Sequence, residues 1–281
     1  GLISSFHELS KQYHQDCLDS ILKQTENNFH FYLFSEDLRF GVPKVERPKI
    51  IYEYVHNLSP RQIKTRGVQK AYHDGCQYVC FIDSDDIMSE NKMDTIMNYI
   101  KEFNVDIFIH NLNTIDSAGK LIKSRIFNFE DEVYENSYYW DKNNAGFGNT
   151  IYKTEIIYNI LPFHEISVTL DWEIINILSL DRKVYTLDES LIDYRQHENN
   201  SIGISGIINK QWLSLQLNIR DKHYDALDYY FQMRQNKHAL YNLHIQRTKW
   251  IEKKDFILSD IDGYLSELQP YKEKLLWQEL V

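Results

Sequence analysis

"YVCFIDSDDIM", residues 78–88, sets a short apolar run directly against three carboxylates. Tyr78 to Ile82 is continuous in apolar character, the pattern of a strand buried on both faces. Asp83, Asp85 and Asp86 then crowd like charge at its end, which raises carboxyl pKa values or calls for a shared cation. Two readings stand: a solvated turn, for which Asp and Ser are ordinary residues, or a cation site.

The flanks favour an alternation of strands and helices. Leu2-Ile3 reads as the tail of a strand, "FHFYLF" (29–34) and "KIIYEYV" (49–55) as two more, and "VDIFIH" (105–110) as a fourth after the acidic turn. Between them, Tyr13, Cys17, Ile21 and Leu22 recur at helical spacing, and Gly67 to Tyr72 continues a helical segment. Ser89 is placed to cap a helix carrying Met93, Ile96, Met97 and Ile100 on one face. Such alternation predicts an α/β layer with a mostly parallel central sheet. Residues 111–149 read as loops and edge structure with a turn at Ser117-Ala118-Gly119. Helical spacing returns at Val168, Trp172, Ile175 and Leu178, then "KVYTL" and "SLIDY" read as two short strands. Residues 205–281 are mainly helical and aromatic, a C-terminal extension to a domain spanning 1–204.

The 281 residues carry 31 Lys and Arg against 41 Asp and Glu, a formal net charge of -10. That balance excludes a generic nucleic-acid binder, which needs a basic face. Cys17, Cys76 and Cys80 lack metal-ligand spacing and read as buried thiols of a reducing compartment. No apolar stretch reaches the length of a membrane span. The chain opens at Gly1-Leu2-Ile3 with no secretory leader and no initiator Met, as if trimmed from its true start.

Ligands of open α/β sheets lie beyond the carboxyl ends of the strands, where Glu36, Asp37, Asp83, Asp85 and Asp86 fall. An Asp-x-Asp pair there suits a divalent ion that bridges carboxylates to phosphates. In order and spacing, "LISSFHE", "CLDSILKQT", "FHFYLF", "IKTRGVQKAYHDGCQYVCFIDSDD", "LDWEIINIL" and "SLIDYRQHENNSIG" resemble the inverting glycosyltransferases of family 2, across residues 2 to 204. The resemblance implies a GT-A nucleotide-sugar-binding fold and metal-dependent transfer from a UDP- or dTDP-sugar to a glycan or lipid-linked acceptor. A bacterial surface polysaccharide is the implied product. Asp85 would hold Mn²⁺ or Mg²⁺ at the donor diphosphate, with His197 as second ligand or as a diphosphate contact, its alternative being a plain polar loop residue.

On the donor side the resemblance implies Asp83 at the ribose and Glu36 or Asp37 at the base, although Ser35-Glu36-Asp37-Leu38 stands where the family has Asp-Asp-Gly-Ser. Ser5, Ser84, Lys64 and Arg195 complete that side; Lys64-Thr65 replaces an Arg-Asn pair and lacks its fork. Arg195 otherwise braces a carboxylate. Asp171 would be the general base, its alternative being an N-terminal cap. "NAGFGN" (144–149), with Gly146, Phe147 and Gly148, would shape the acceptor and sugar pocket with Trp140 and Trp172, or else form a tight turn among core aromatics. The expected setting is cytoplasmic, with room for contact with the inner membrane face and for a homo-oligomer. The competing class is a degenerate relative that binds nucleotide-sugar, or serves as a scaffold, without transfer.

Overall fold

In chain order the computed structural model comprises β1 (Leu2–Phe6), α1 (His14–Leu22), β2 (His30–Ser35), β3 (Lys49–Tyr54), α2 (Pro60–His73), β4 (Tyr78–Asp83), β5 (Ile87–Met88) and α3 (Lys92–Phe103). There follow β6 (Ile107–Ile115), β7 (Leu121–Lys123), β8 (Val133–Tyr134), β9 (Thr150–Lys153), α4 (Thr154–Tyr158), α5 (Leu170–Leu178), β10 (Val184–Arg195), α6 (Lys210–Met233), α7 (Lys237–Ser259) and α8 (Ile261–Leu268). The structure describes residues 1–37, 40–134, 139–140, 142–164, 168–197, 200 and 208–269. The expected boundary at 204/205, the end of "YRQHENNSIG" and the tail from 270 lie outside them.

One sheet runs in the order β3-β2-β1-β4-β9-β6-β10-β5, with β7 on β6 and β8 on β10. The four strands from β3 to β4 are parallel. β9 then enters against both β4 and β6, and β10 returns parallel to β6. The inner strands are apolar because helices cover them: Phe31, Tyr32, Leu33 and Phe34 are buried without interruption, as are Val79 to Ile82. Helix α2 starts with a capping box in which Ser59 and Gln62 satisfy each other's backbone N–H, with Pro60 at its first position. It lies so close to β1 that a Cβ on Gly67 would stand 2.6 Å from Ile3 Cγ2, so only glycine allows that approach.

Two expectations need correction. "KVYTL" and "SLIDY" belong to one twelve-residue strand, β10, whose register against β6 shifts twice, between Leu187 and Ser190 and between Ser190 and Asp193. The polar Asp188-Glu189 that suggested a break sits at these bulges. Helix α3 begins at Lys92 after Asn91, so Ser89 is not its cap. Instead the Ser89 hydroxyl donates to the Ser190 carbonyl at 3.3 Å, tying the segment after β5 to β10.

The C-terminal region is helical as expected. Helix α6 buries Trp212, Leu213, Leu217, Tyr224, Leu227 and Phe231 at helical spacing, and packs against both α5 and α7. Among the described residues, no helix is long and apolar enough to cross a membrane.

Candidate active site

The carboxyl ends of β1, β2 and β4 meet because their registers are parallel: Ser5 pairs with Asp83, and Phe6 with Ser35. Beyond β2, Asp37 N–H donates to Ser35 Oγ at 3.1 Å and the Tyr52 hydroxyl donates to the Asp37 carbonyl at 3.0 Å. Phe40 stacks on Tyr52, with centroids 6.3 Å apart. His7 bridges the strand ends, 3.0 Å from Ser5 Oγ and 3.5 Å from Glu36 Oε2. Ser5, Glu36 and Asp37 therefore share one polar shelf beside an aromatic pair. Sequence reasoning missed His7, Phe40 and Tyr52, because no spacing in the chain shows that these three rings meet at the ends of β1 and β2.

The acidic turn is divided by burial. Asp83 is half exposed and faces Lys64 Nζ at 3.7 Å; that ammonium also lies 4.5 Å from the centre of the Phe147 ring. Asp85 is mostly covered, and its Oδ2 lies 2.8 Å from His197 Nε2. Burial and the neighbouring Asp83 charge raise its pKa, while His197 pulls it back. Asp86 is wholly buried and accepts the Arg195 backbone N–H at 3.0 Å; burial, then Asp85 and Asp83, push its carboxyl well above the usual range.

Arg195 is also buried, and its guanidinium works beneath the turn. It donates to the Asp85 carbonyl at 2.8 Å, to Asp16 Oδ2 at 3.0 Å and to the Ser117 carbonyl at 3.2 Å, and lies 4.6 Å from the centre of the Tyr13 ring. Of the two readings of Arg195, this geometry fits the brace and not the diphosphate contact. Tyr13 supports His197 as well, with centroids 5.0 Å apart. Ser84 turns inward to Ser10 Oγ at 2.6 Å and is buried, which takes its hydroxyl away from a donor.

Opposite the turn, Asp171 stands in the first turn of α5, its Oδ1 accepting the Trp172 N–H at 2.8 Å. Burial raises its pKa to about 6. The Trp172 N–H, Asn143 and Lys64 oppose the rise, and Asp83 adds to it. A Cβ on Gly146 would lie 3.9 Å from Asp171 Oδ2, and one on Gly148 would lie 3.5 Å from Asp86 Oδ2. The Gly146-Phe147-Gly148 loop thus runs from the candidate base to the acidic turn.

Two aromatic assignments fail. Trp140 is 2 % exposed and is part of the core, leaving no ring face for a sugar. Trp172 is equally buried, stacks on His223 at 3.9 Å and sits under the Arg220 guanidinium at 5.3 Å. Its indole N–H donates to the Tyr139 carbonyl at 2.7 Å. It joins α5 to α6 and does not line the pocket.

Among the described residues, no group of three or more His, Cys, Asp or Glu is arranged to hold a metal ion. Asp85 and His197 nevertheless offer one carboxylate oxygen and one imidazole nitrogen side by side. That donor set fits an ion of intermediate hardness such as Mn²⁺. It also fits Mg²⁺, which is often held by one or two protein groups plus substrate phosphates.

Residues 47–161 match the family described as Glycosyl transferase family 2. A Rickettsia bellii protein described as "Uncharacterized glycosyltransferase" is 30% identical over 114 residues, which is 38% of this chain and 16% of that protein. "Glycosyltransferase GlyA" of Streptococcus pneumoniae serotype 4 is 24% identical over 150 residues, 52% of this chain and 20% of its own length. The chain thus spans a fifth or less of the curated relatives it matches. Among solved structures, S. aureus TarS 1-349 in complex with UDP-GlcNAc superposes with a TM-score of 0.57 at 15% identity, covering 99% of this chain and 89% of that one. The same fragment in complex with UDP gives 0.56 at 14% identity, with the same coverage.

Proposed function

We propose that this chain, which carries a family 2 glycosyltransferase domain of GT-A fold, moves a sugar from a nucleoside-diphosphate donor to an acceptor hydroxyl by single displacement with inversion. The observation that carries the reading is the opposition of two sites across one glycine loop. At Gly148 the loop meets Asp86 of the turn that carries the Asp85–His197 pair, and at Gly146 it meets Asp171, with its pKa near the operating range of a general base.

The donor's nucleoside would rest on the shelf of Ser5, Glu36 and Asp37 beside Phe40 and Tyr52, with Asp83 near the ribose. Asp85 and His197 would hold Mn²⁺ or Mg²⁺, which supplies positive charge to the departing diphosphate. Lys64 adds a second cation on the Asp83 side. Asp171 takes the acceptor proton as the acceptor oxygen bonds to the anomeric carbon. The bond from that carbon to the phosphate oxygen breaks, and the electron pair leaves with the nucleoside diphosphate. One base on one face gives inversion, and a second catalytic carboxylate is not required.

A UDP-sugar is the first donor to test, because TarS has been crystallised with UDP-GlcNAc and with UDP; a dTDP-sugar is the second. The acceptor is a glycan or lipid-linked saccharide, in keeping with a bacterial surface polysaccharide. The test is calorimetric titration of UDP and dTDP with and without Mn²⁺, followed by transfer assays on saccharide acceptors. Metal-dependent nucleotide binding with turnover supports the reading. Binding without turnover on any acceptor favours a nucleotide-sugar-binding or scaffold role, and no nucleotide binding refutes both.

A further inference from the structure

Lys92 is the first residue of α3, and its side chain is fully buried. Both facts disfavour a cation. A buried ammonium loses hydration, and the positive end of the helix dipole repels it. The helix surface would accept Lys, but this position lies one turn before Ile96 and two before Ile100, on the apolar face. A residue so poorly suited to its place on packing grounds needs a partner that repays it.

That partner is the glycine loop. Lys92 Nζ donates to the Gly148 carbonyl at 2.6 Å. Asp86, also buried, interacts with the same ammonium and lies against Gly148. A Cβ on Gly148 would stand 3.1 Å from Ile192 Cδ1 and 3.5 Å from Asp86 Oδ2, so the loop has no slack on that side. Asp86 in turn accepts the Arg195 N–H, two residues before His197. From β6, buried His110 also approaches the Gly148 backbone, while its Nδ1 donates to the Asn111 carbonyl at 2.6 Å. At the far end of the loop, Gly146 stands against Asp171.

We propose that Lys92 is a positioning residue: through the Gly148 carbonyl and Asp86 it fixes the Gly146–Gly148 loop between Asp171 and the Asp85–His197 pair. It touches neither donor nor acceptor. The loop's part in catalysis rests on the transferase reading above; the clamp itself does not. Burial lowers the Lys92 pKa to about 8, with Cys80 and then Asp86 opposing the fall.

Lys92→Met removes the donor while keeping an unbranched chain of similar length. Amide hydrogen exchange at residues 146–149 is compared in the two full chains with UDP and Mn²⁺ present, alongside kcat, donor KM and UDP affinity. The expected result is exchange at least about tenfold faster in the loop, unchanged exchange in α2 and β1, and kcat lower by about 10–100-fold, the scale of a small misplacement of reacting groups. Donor KM and UDP affinity stay near wild type. Should Lys92→Met fail to fold, Gly148→Ala, which pushes the same loop from the other side, is expected to give the same selective loss of kcat. Wild-type loop exchange in Lys92→Met overturns the proposal, as does a matched fall in UDP affinity and kcat. Faster loop exchange with no transfer by either protein would instead count against the transferase reading and leave the clamp standing.

Discussion

Replacing Asp171 by Asn is expected to give a protein that is both less active and more stable. Burial holds the Asp171 carboxyl at about 6 against an ordinary 3.8. The folded chain therefore grips this proton more tightly than the unfolded chain does. For a group raised in this way the stabilising contribution is full below the unfolded value and is lost as pH rises through about 6. At 1.36 kcal/mol per factor of ten, the gap amounts to roughly 3 kcal/mol of stability surrendered at neutral pH. An amide has no charge to desolvate and keeps the acceptor for the Trp172 N–H. Asn143, whose Oδ1 is buried without a partner, can turn its own amide to receive the new N–H group. The variant should gain up to roughly 3 kcal/mol over wild type between about pH 4 and pH 7, a Tm rise on the order of 5 °C for a chain of this size. Transfer should fall about 10²–10⁴-fold, because an amide cannot take the acceptor proton. Parallel thermal melts across this pH range, with initial-rate assays at neutral pH, measure both. A stability difference that does not change with pH would refute the assignment of a carboxylate whose pKa is raised by desolvation; near-normal turnover would refute its role as base.

Asp85→Ala should abolish Mn²⁺-dependent strengthening of UDP binding while leaving the melting curve cooperative, as calorimetry with and without EDTA will read; an unchanged metal dependence contradicts the site. His197→Ala should weaken Mn²⁺ affinity in the UDP complex, because it removes the imidazole nitrogen that lies beside Asp85. Equal Mn²⁺ affinities of variant and wild type would return His197 to a plain polar loop residue. Trp172→Ala should destabilise the fold by roughly 3–5 kcal/mol through the cavity left by this buried side chain, seen as a lower denaturant midpoint. A raised donor KM at unchanged stability would restore Trp172 to the pocket.

The strands β2 and β4 were readable in the sequence because they are buried on both faces and run without a polar interruption. The acidic turn was legible as three carboxylates at a strand end, whereas Asp171 and the place of His197 beside Asp85 were suggested only by the resemblance to the family 2 glycosyltransferases. What escaped depended on which way a side chain turns. Trp140 lies in a polar-looking stretch and Trp172 on an apolar helical face, yet in both the bulk that would suit a sugar face suits the core equally well. Ser84 lies between two exposed-looking acids but faces Ser10. Lys92 did leave a trace, a charge at helical spacing with Ile96 and Ile100. Only the tertiary placement of Gly148 explains why it is tolerated there.

Asp85 and His197 stand 112 positions apart in the chain, and the link between them is made late. β5 pairs with β10 through Ile87–Asp193 and Met88–Ile192, and β10 also covers the β6 side that β9 leaves open. During synthesis the acidic turn is therefore complete long before the strand that carries Arg195 leaves the ribosome. Until then β6 presents a free backbone edge, the kind of surface that recruits other chains, and Asp86 lacks the Arg195 N–H. A ribosome stalled before about residue 195 would release a chain with most of its sheet formed and its candidate centre open. Such a fragment should be retained by chaperones and aggregate when they are depleted, and only extension through β10 and the α6 helix that covers Trp172 should let it go.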